Sequence, residues 1–302
     1  MVTDGFLKKL FNIQQNNIKT DVKMADLTSF KIGGPCDVFV EPDGKEELAS
    51  IIKLCKNEGV PFLLIGAGSN LLVSDKGIDG VICRLGESFD YAEADGNKIT
   101  AGASISLAKL SKIAQKHGLS GLEFSSGIPG SLGGAVFMNA GAYDGEMKDV
   151  VLKTEYLDEN GELKSISGEK HEFSYRHSFF SDGKKYIISS EMELTPKNPD
   201  EIMEKMRDLN ARRKEKQPLD KPSAGSTFKR PEGYFAAKLI EDASLKGVSV
   251  GDAQVSTKHA GFIVNNGNAT AEDVTQLIKK VQREVYDKFQ VELETEVKII
   301  GR

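Results

Sequence analysis

The 302-residue sequence reads as an α+β (mixed α/β) chain: two lobes up to about residue 200, each carrying a glycine-rich loop, then a C-terminal α/β domain. Three features point this way. The apolar run Val60–Ile65 ends in Gly66-Ala-Gly-Ser-Asn-Leu71, a buried strand closed by a glycine turn. Gly121–Tyr143 holds six glycines in 23 residues, yet is apolar rather than linker-like. Asn198-Pro-Asp-Glu201 has the pattern of a helix start, and Pro218 and Pro222 beyond that helix mark a linker. The domains expected are therefore 1–85, 86–200 and 201–302.

In chain order, residues 1–20 read as an exposed amphipathic helix, with Phe6, Leu7, Leu10 and Phe11 at helical spacing. Thr28–Asp37 is a turn-rich entry to a strand at Val38–Val40. A helix over Glu46–Asn57 gathers Leu48, Ile51, Ile52 and Cys55 on one face and stops at Gly59. With strands at 60–65 and Val81–Leu85, this β-α-β opening implies parallel pairing. A short strand at Lys98–Ala101 and a helix at Ser106–His117, ended by Gly118, follow. Val150–Leu157, Leu163–Ile166 and Tyr186–Leu194 alternate as strands, the first two joined by the turn Asp158-Glu-Asn-Gly161. The helix after Asn198 buries Ile202, Met203, Met206 and Leu209, and Arg212–Lys216 reads as its solvated basic end. Leu239–Ala243, Ala253–Ser256 and Gly261–Val264 are short structured pieces. Thr270-Ala-Glu-Asp273 caps a long helix striped by Val274, Leu277, Ile278, Val281 and Val285, and Val291–Ile299 alternates as a half-buried strand.

Composition narrows the function. A formal net charge of −5 gives nucleic acid no global electrostatic support. Cys36, Cys55 and Cys83 are odd in number and lack C-x-x-C spacing, which fits reduced thiols in a cytoplasmic protein. Four scattered histidines suggest no protein-built metal site. No apolar run reaches 18 residues, so no membrane partner is expected.

Two readings stand for each small-residue loop. Gly127, Gly130, Gly133 and Gly134 let backbone N–H groups converge on a phosphate or diphosphate, or they allow a tight turn and close packing. Gly66–Leu71 has Leu71 where the Rossmann fingerprint has its third glycine. Two such loops, neither Walker nor Rossmann, suggest one elongated dinucleotide held from both sides. In Phe173–Phe180, an Arg among aromatics is either a surface residue or a carboxylate anchor. Pro222–Pro231 is an ordinary Ser/Thr turn or a site loop. On the strand at 291–299, Glu292, Glu294, Glu296 and Lys298 share a polar face, and pattern alone favours solvation over catalysis.

Together, Thr28–Asp37, Gly66–Leu71, Gly121–Tyr143, Tyr175-Arg-His-Ser178, Ala224-Gly-Ser-Thr-Phe228 and Leu293–Lys298 resemble the UDP-N-acetylenolpyruvoylglucosamine reductase family over about residues 20–302. The chain looks like the type II subclass, because the spacing from Glu191 to Ser226 leaves little room for an inserted tyrosine-bearing capping loop. The resemblance implies an FAD-binding module of the p-cresol methylhydroxylase/vanillyl-alcohol-oxidase type in two lobes, with a C-terminal substrate-binding domain. It implies noncovalent FAD, NADPH as electron donor and a UDP-sugar substrate whose enolpyruvyl ether becomes UDP-N-acetylmuramate for peptidoglycan. It leaves oligomeric state open, a monomer included. An FAD-dependent oxidase of an alcohol or hydroxy acid on the same fold is the alternative.

The implied cofactor contacts are Gly66, Ala67, Gly68, Ser69, Asn70, Leu71, Gly127, Ile128, Pro129, Gly130, Ser131, Gly133, Gly134, Asn139 and Ala142. In the family's reaction a hydride from N5 of reduced FAD reaches the terminal carbon of the enolpyruvyl group. Charge then builds toward the carboxylate, and the adjacent carbon takes a proton. Arg176 matches the family's charge-stabilising arginine, Ser226 its proton donor and Glu296 its third catalytic position. Tyr175, Lys229, Arg230 and His259 are implied substrate contacts, although some members carry Asn where Arg230 stands.

Overall fold

The structure, a computed structural model, describes residues 2–14 and 17–302. These form two compact units, each assembled from separate stretches of chain. The first takes residues up to Thr20, Asp37–Ala67 and Gly80–Arg213; the second takes Asp21–Cys36, Gly68–Asp79 and Lys214–Arg302. Both lobes read from the sequence thus contribute to one unit, while 21–36 and 68–79 pack with the C-terminal region instead.

In the first unit the N-terminal helix is Asp4–Ile13, capped by Thr3, whose Oγ1 accepts from Phe6 N at 3.2 Å. Phe6 and Leu10 are buried while Phe11 is 45% exposed, so one face of this helix packs. The expected helix is shorter than 1–20: residues 1, 15 and 16 lie outside the described residues, and Ile18–Lys23 is a strand. The helix Lys45–Glu58 buries Leu48, Ile51, Ile52 and Cys55, and Gly59 ends it at φ +64°, where a side chain would be strained. Burial pushes the Cys55 thiol up to about 12, which suits an inert core cysteine.

The sheet of this unit runs in the order Ile18–Lys23, Pro35–Val40, Ile78–Arg84, Phe62–Ile65. Phe62–Ile65 and Ile78–Arg84 are parallel, with Leu63 opposite Ile82. The strands at 35–40 and 62–65 are therefore not neighbours; 78–84 lies between them. A second, antiparallel sheet runs Leu163–Ser167, Val151–Leu157, Tyr186–Glu193, Lys98–Gly102, Ala92–Asp95. Ala-Glu-Ala-Asp at 92–95 lacks β-branched and aromatic residues. It becomes a strand through tight pairing across the Gly96-Asn97 turn, with Asp95 opposite Lys98.

The second unit carries a four-stranded antiparallel sheet, Ser223–Ser226, Phe262–Asn265, Ala253–Val255, Ser249–Val250. Its core gathers Val274, Leu277, Ile278, Val281 and Val285 of the helix Ala271–Phe289 with Leu239 and Ile240 of Ala236–Asp242. Thr270 and Asp273 form the expected capping box, with Asp273 N donating to Thr270 Oγ1 at 3.0 Å and Thr270 N to Asp273 Oδ2 at 2.9 Å. The expected strand over Val291–Ile299 is regular only at Lys298–Ile300, which runs parallel to Leu71–Val73.

Leu277 is fully buried in this core. Leu277→Ala should destabilise the protein by about 2–5 kcal/mol in urea unfolding, through lost burial and the cavity left behind. The exposed Lys279→Ala on the same helix should stay within about 0.5 kcal/mol of the parent.

Candidate active site

In the first unit Gly66, which opens one glycine loop, packs against the other. A Cβ on Gly66 would stand 2.5 Å from Ser131 Oγ and 3.7 Å from Gly134 Cα. The second loop is laid along residues 103–107: Leu132 N donates to Ile105 O and Gly133 N to Ala103 O, each at 2.9 Å, and Leu107 N to Gly130 O at 3.0 Å. Ser131 caps the short helix Leu132–Phe137, accepting from Gly134 N at 3.4 Å. Several of these glycines are fixed by close packing. A Cβ on Gly127 would fall 2.3 Å from Asn210 Oδ1, and one on Gly133 2.9 Å from Ala103 Cβ. On Gly68, at φ +64°, it would lie 2.1 Å from Leu27 O in the second unit. Gly134 differs, being exposed and meeting only Ser131 Oγ at 3.5 Å. Ile128 is half-buried and Pro129 exposed.

These loops fit an anionic, acceptor-rich dinucleotide on two counts. Among the described residues, the N–H groups of Ala67, Gly68 and Ser69 make no hydrogen bond to a protein acceptor, so three successive donors remain for a ligand. Arg213 then adds a cation, its Cδ 3.1 Å from the Cβ position of Gly127. Its Nε is buried without a hydrogen-bond partner, and burial pushes the guanidinium below its usual range, though an arginine stays charged. Arg213 is the residue that the sequence reading missed, because it took Arg212–Lys216 as a solvated end. Arg212 does pair outward with Asp208. Arg213, however, continues the buried series Ile202, Met206, Leu209 at helical spacing, and that periodicity is the signal that could have found it.

Glu123 sits at the entry to the second loop, 2% exposed. Its carboxylate accepts from Ser120 Oγ at 2.6 Å and Gly121 N at 2.8 Å, with Lys205 Nζ 3.9 Å away. Burial alone would raise this carboxyl. The hydrogen bonds from Ser120 and the backbone, with Lys205, outweigh it and hold the group below its ordinary value.

Arg176 lies on a two-residue turn closed by reciprocal bonds, Ser174 N to His177 O and His177 N to Ser174 O, both 3.1 Å. Its φ is +56°, at a turn position that ordinarily takes glycine; a β-carbon there costs roughly 1–2 kcal/mol. The guanidinium stands 4.9 Å from the Tyr175 ring centroid, and one N–H points at Gly141 O, 3.5 Å away. Tyr175 is 50% exposed. Beneath this turn runs the hairpin Gly141–Ala142/Gly145–Glu146, with Tyr143 and Asp144 both at positive φ. Asn139 is fully buried: Nδ2 donates to Glu146 Oε2 at 2.6 Å and Ser174 O at 3.0 Å, and Oδ1 accepts from Lys148 N at 2.9 Å. Its side-chain amide is thus hydrogen-bonded within the protein at both ends.

In the second unit Ser226 ends a bulged strand. Ser223 faces Val264 and Ser226 faces Phe262, so one extra residue sits between them, and Gly225 absorbs the turn at φ +74°. Thr227 is buried and structural: its N donates to Gly261 O at 2.8 Å and its Oγ1 accepts from Ile263 N at 3.1 Å. Thr227 O accepts from Glu296 N at 2.8 Å, while Glu296 O accepts from Asn70 Nδ2 at 3.1 Å. Both sides of the Glu296 backbone are therefore pinned, one residue along from Ser226. Leu71 opens the strand beside Asn70. Glu296 is half-buried while Glu292 and Glu294 are exposed, which separates it from the solvated face that pattern suggested.

Lys229 joins this corner through its backbone, bonded to Glu294 O at 2.8 Å, and its amine pairs with Glu294 at 2.9 Å. Arg230 is exposed on the next turn, 3.9 Å from the Phe235 ring centroid. His259 Nδ1 accepts from Gly261 N at 3.2 Å, which puts its proton on Nε2, and burial lowers its affinity for a second proton.

Comparison with known proteins follows the same division. Residues 36–167 match the FAD binding domain family, and residues 217–300 match the C-terminal domain of UDP-N-acetylenolpyruvoylglucosamine reductase. The curated reductase of that name from Caldanaerobacter subterraneus subsp. tengcongensis is 51% identical over 96% of this chain and 95% of its own length. That from Clostridioides difficile is 48% identical over 99% and 98%. The crystal structure of UDP-N-acetylenolpyruvylglucosamine reductase from Thermus caldophilus superposes with a TM-score of 0.82 at 35% identity, over 93% of this chain and 98% of that one. Phl p 4.0202, a glucose dehydrogenase, shares the fold alone: TM-score 0.50, 14% identity, 65% of this chain and 45% of that one.

Because Glu123 is held below its ordinary value of 4.5, its contribution to stability is present above that pH and is lost as pH falls through the folded value. The difference in unfolding free energy between the parent and Glu123→Gln, followed by urea titration, should be largest near neutrality and shrink below about pH 4.5.

Proposed function

The chain belongs to the UDP-N-acetylenolpyruvoylglucosamine reductase family, and we propose that it makes UDP-N-acetylmuramate for peptidoglycan by reducing the enolpyruvyl ether of UDP-N-acetyl-3-O-(1-carboxyvinyl)-glucosamine. The observation that carries the reading to this chain's own residues is the Ser226–Glu296 corner, inside the stretch matched to the reductase C-terminal domain. FAD, when bound, supplies the hydride drawn from NADPH. The N–H groups of Ala67, Gly68 and Ser69, the Gly127–Gly134 loop and Arg213 would hold it, without a covalent link. That division of labour leaves an oxidase of alcohols without a supporting observation.

The other roles follow from charge. As the terminal carbon of the enolpyruvyl group gains a hydride, negative charge spreads into a carboxylate already charged. Arg176 binds that carboxylate through a planar fork and stabilises the added charge, a contribution of about 3–4 kcal/mol for one preorganised donor. Ser226 gives the proton to the carbon beside the carboxylate. A hydroxyl is a weak acid, and it serves here because the carbon it protonates is strongly basic. Glu296, its backbone held by Thr227 and Asn70, orients the carboxylate end. Tyr175, Lys229, Arg230 and His259 meet the diphosphate and sugar. A substrate built on UDP, with NADPH as donor, belongs to the cytoplasm; among the described residues no helix is long and apolar enough to cross a membrane.

Ser226→Ala tests the assignment. Flavin reduction by NADPH should stay near the parent rate, while anaerobic reoxidation by the enolpyruvyl substrate should fall at least 100-fold, about 2.7 kcal/mol. In deuterated buffer the parent product should carry one solvent deuterium beside the carboxylate. Reoxidation of Ser226→Ala at the parent rate would remove Ser226 from the chemistry.

A further inference from the structure

We infer that Asn139 is a positioning residue for Arg176, holding the strained turn that presents the guanidinium; this rests on the role given above to Arg176. The Arg176 turn has little internal support. Its two reciprocal backbone bonds close only four residues, and Arg176 occupies the left-handed position without being glycine. Such a conformation persists only where its surroundings over-determine it.

One short segment, residues 137–141, supplies three contacts to this turn. Ser178 Oγ donates to Phe137 O at 2.8 Å, just past the turn. Asn139 Nδ2 donates to Ser174 O at 3.0 Å, at the turn's first residue, on the same carbonyl that already takes His177 N. A carbonyl has two lone pairs, so both bonds form at once. One Arg176 N–H points at Gly141 O, at the turn's tip. Of these three, only the Asn139 bond is made by a side chain of the 137–141 segment, so substitution there removes it while leaving Arg176 and Ser178 in place.

The amide is itself rigidly held. Glu146 takes its other Nδ2 hydrogen and Lys148 N occupies its Oδ1, so neither a flip nor a rotation is available. Asn139 sits at φ +42°, a conformation asparagine tolerates better than most side chains. Its place in the sequence five residues after Gly134 means the segment that follows the glycine loop also aims the arginine.

A double-mutant cycle with the FAD-loaded enzyme tests this. Asn139→Gly removes the amide while suiting the positive φ, and Asn139→Asp keeps the shape but loses the paired amine donors. Reoxidation of NADPH-reduced enzyme by the enolpyruvyl substrate should slow about 30-fold in Asn139→Gly. In an Arg176→Lys background the same change should slow it less than threefold, because the group it positions is already lost. Flavin reduction should fall far less than reoxidation. If Asn139→Gly loses its FAD, Asn139→Asp takes its place in the cycle under the same criteria, and loss of FAD in both assigns Asn139 to the fold and overturns the proposal. Equal losses in both backgrounds, or equal losses in both half-reactions, also overturn it while leaving Arg176 in the reaction. A parent-like Arg176→Lys would remove Arg176 itself, and the positioning role with it.

Discussion

A half-buried guanidinium against a glycine loop, whose buried Nε bonds to nothing among the described residues, is the constraint around which the first unit makes sense. Burying an unpaired donor of a charged group is unfavourable by several kcal/mol in ordinary circumstances. Arg213 is held there regardless, by a helix whose Asn210 donates to Ser126 Oγ at 3.2 Å and fits against Gly127. A Cβ on Gly127 would press on the Asn210 amide and the Arg213 stem, and the approach of that helix brings the cation to the loop. The loop in turn touches Gly66 through Ser131, next to the Ala67 N–H, which meets no acceptor among the described residues. Positive charge and an unmet backbone N–H along these loops suit a diphosphate-bearing cofactor.

The same economy governs the residues proposed to act on the substrate. Arg176 is strained and clamped, Ser226 is re-aimed by a bulge at Gly225, and Glu296 is pinned through its backbone rather than its side chain. Each functional side chain therefore hangs from main chain that neighbouring elements have already fixed. That arrangement places the energetic cost in the scaffold, where buried cores such as that around Leu277 can bear it.

Much of this was legible in the sequence where local chemistry decides the outcome. The Thr270–Asp273 capping box, the stop at Gly59 and the striping of the helix at 271–289 all stand as read, because each depends on residues a turn apart. Discontinuity of the units was not legible. Leu71–Val73 pairs with Lys298–Ile300 across more than 200 residues, and three-residue strands carry no periodicity of their own. Within the site, glycine spacing showed that backbones come close but not to what. The structure divides the glycines into those that meet protein, such as Gly127 and Gly133, and Gly134, which stays open. Nor does the sequence show that the Asn139 amide reaches Ser174 O and braces the turn there. Arg213 was hidden by its basic neighbours, although its helical phase assigned it to the buried face.

The central claim is that Arg213 is kept for the bound cofactor rather than for the fold, and Arg213→Met separates these directly. Equilibrium FAD binding and urea unfolding of the cofactor-free protein would both be measured. The account predicts that FAD affinity falls at least tenfold, while the cofactor-free variant is as stable as the parent or more so, since a half-buried cation with an unpartnered Nε has given way to an apolar chain of similar length. Unchanged FAD affinity with a cofactor-free protein destabilised by several kcal/mol would contradict it.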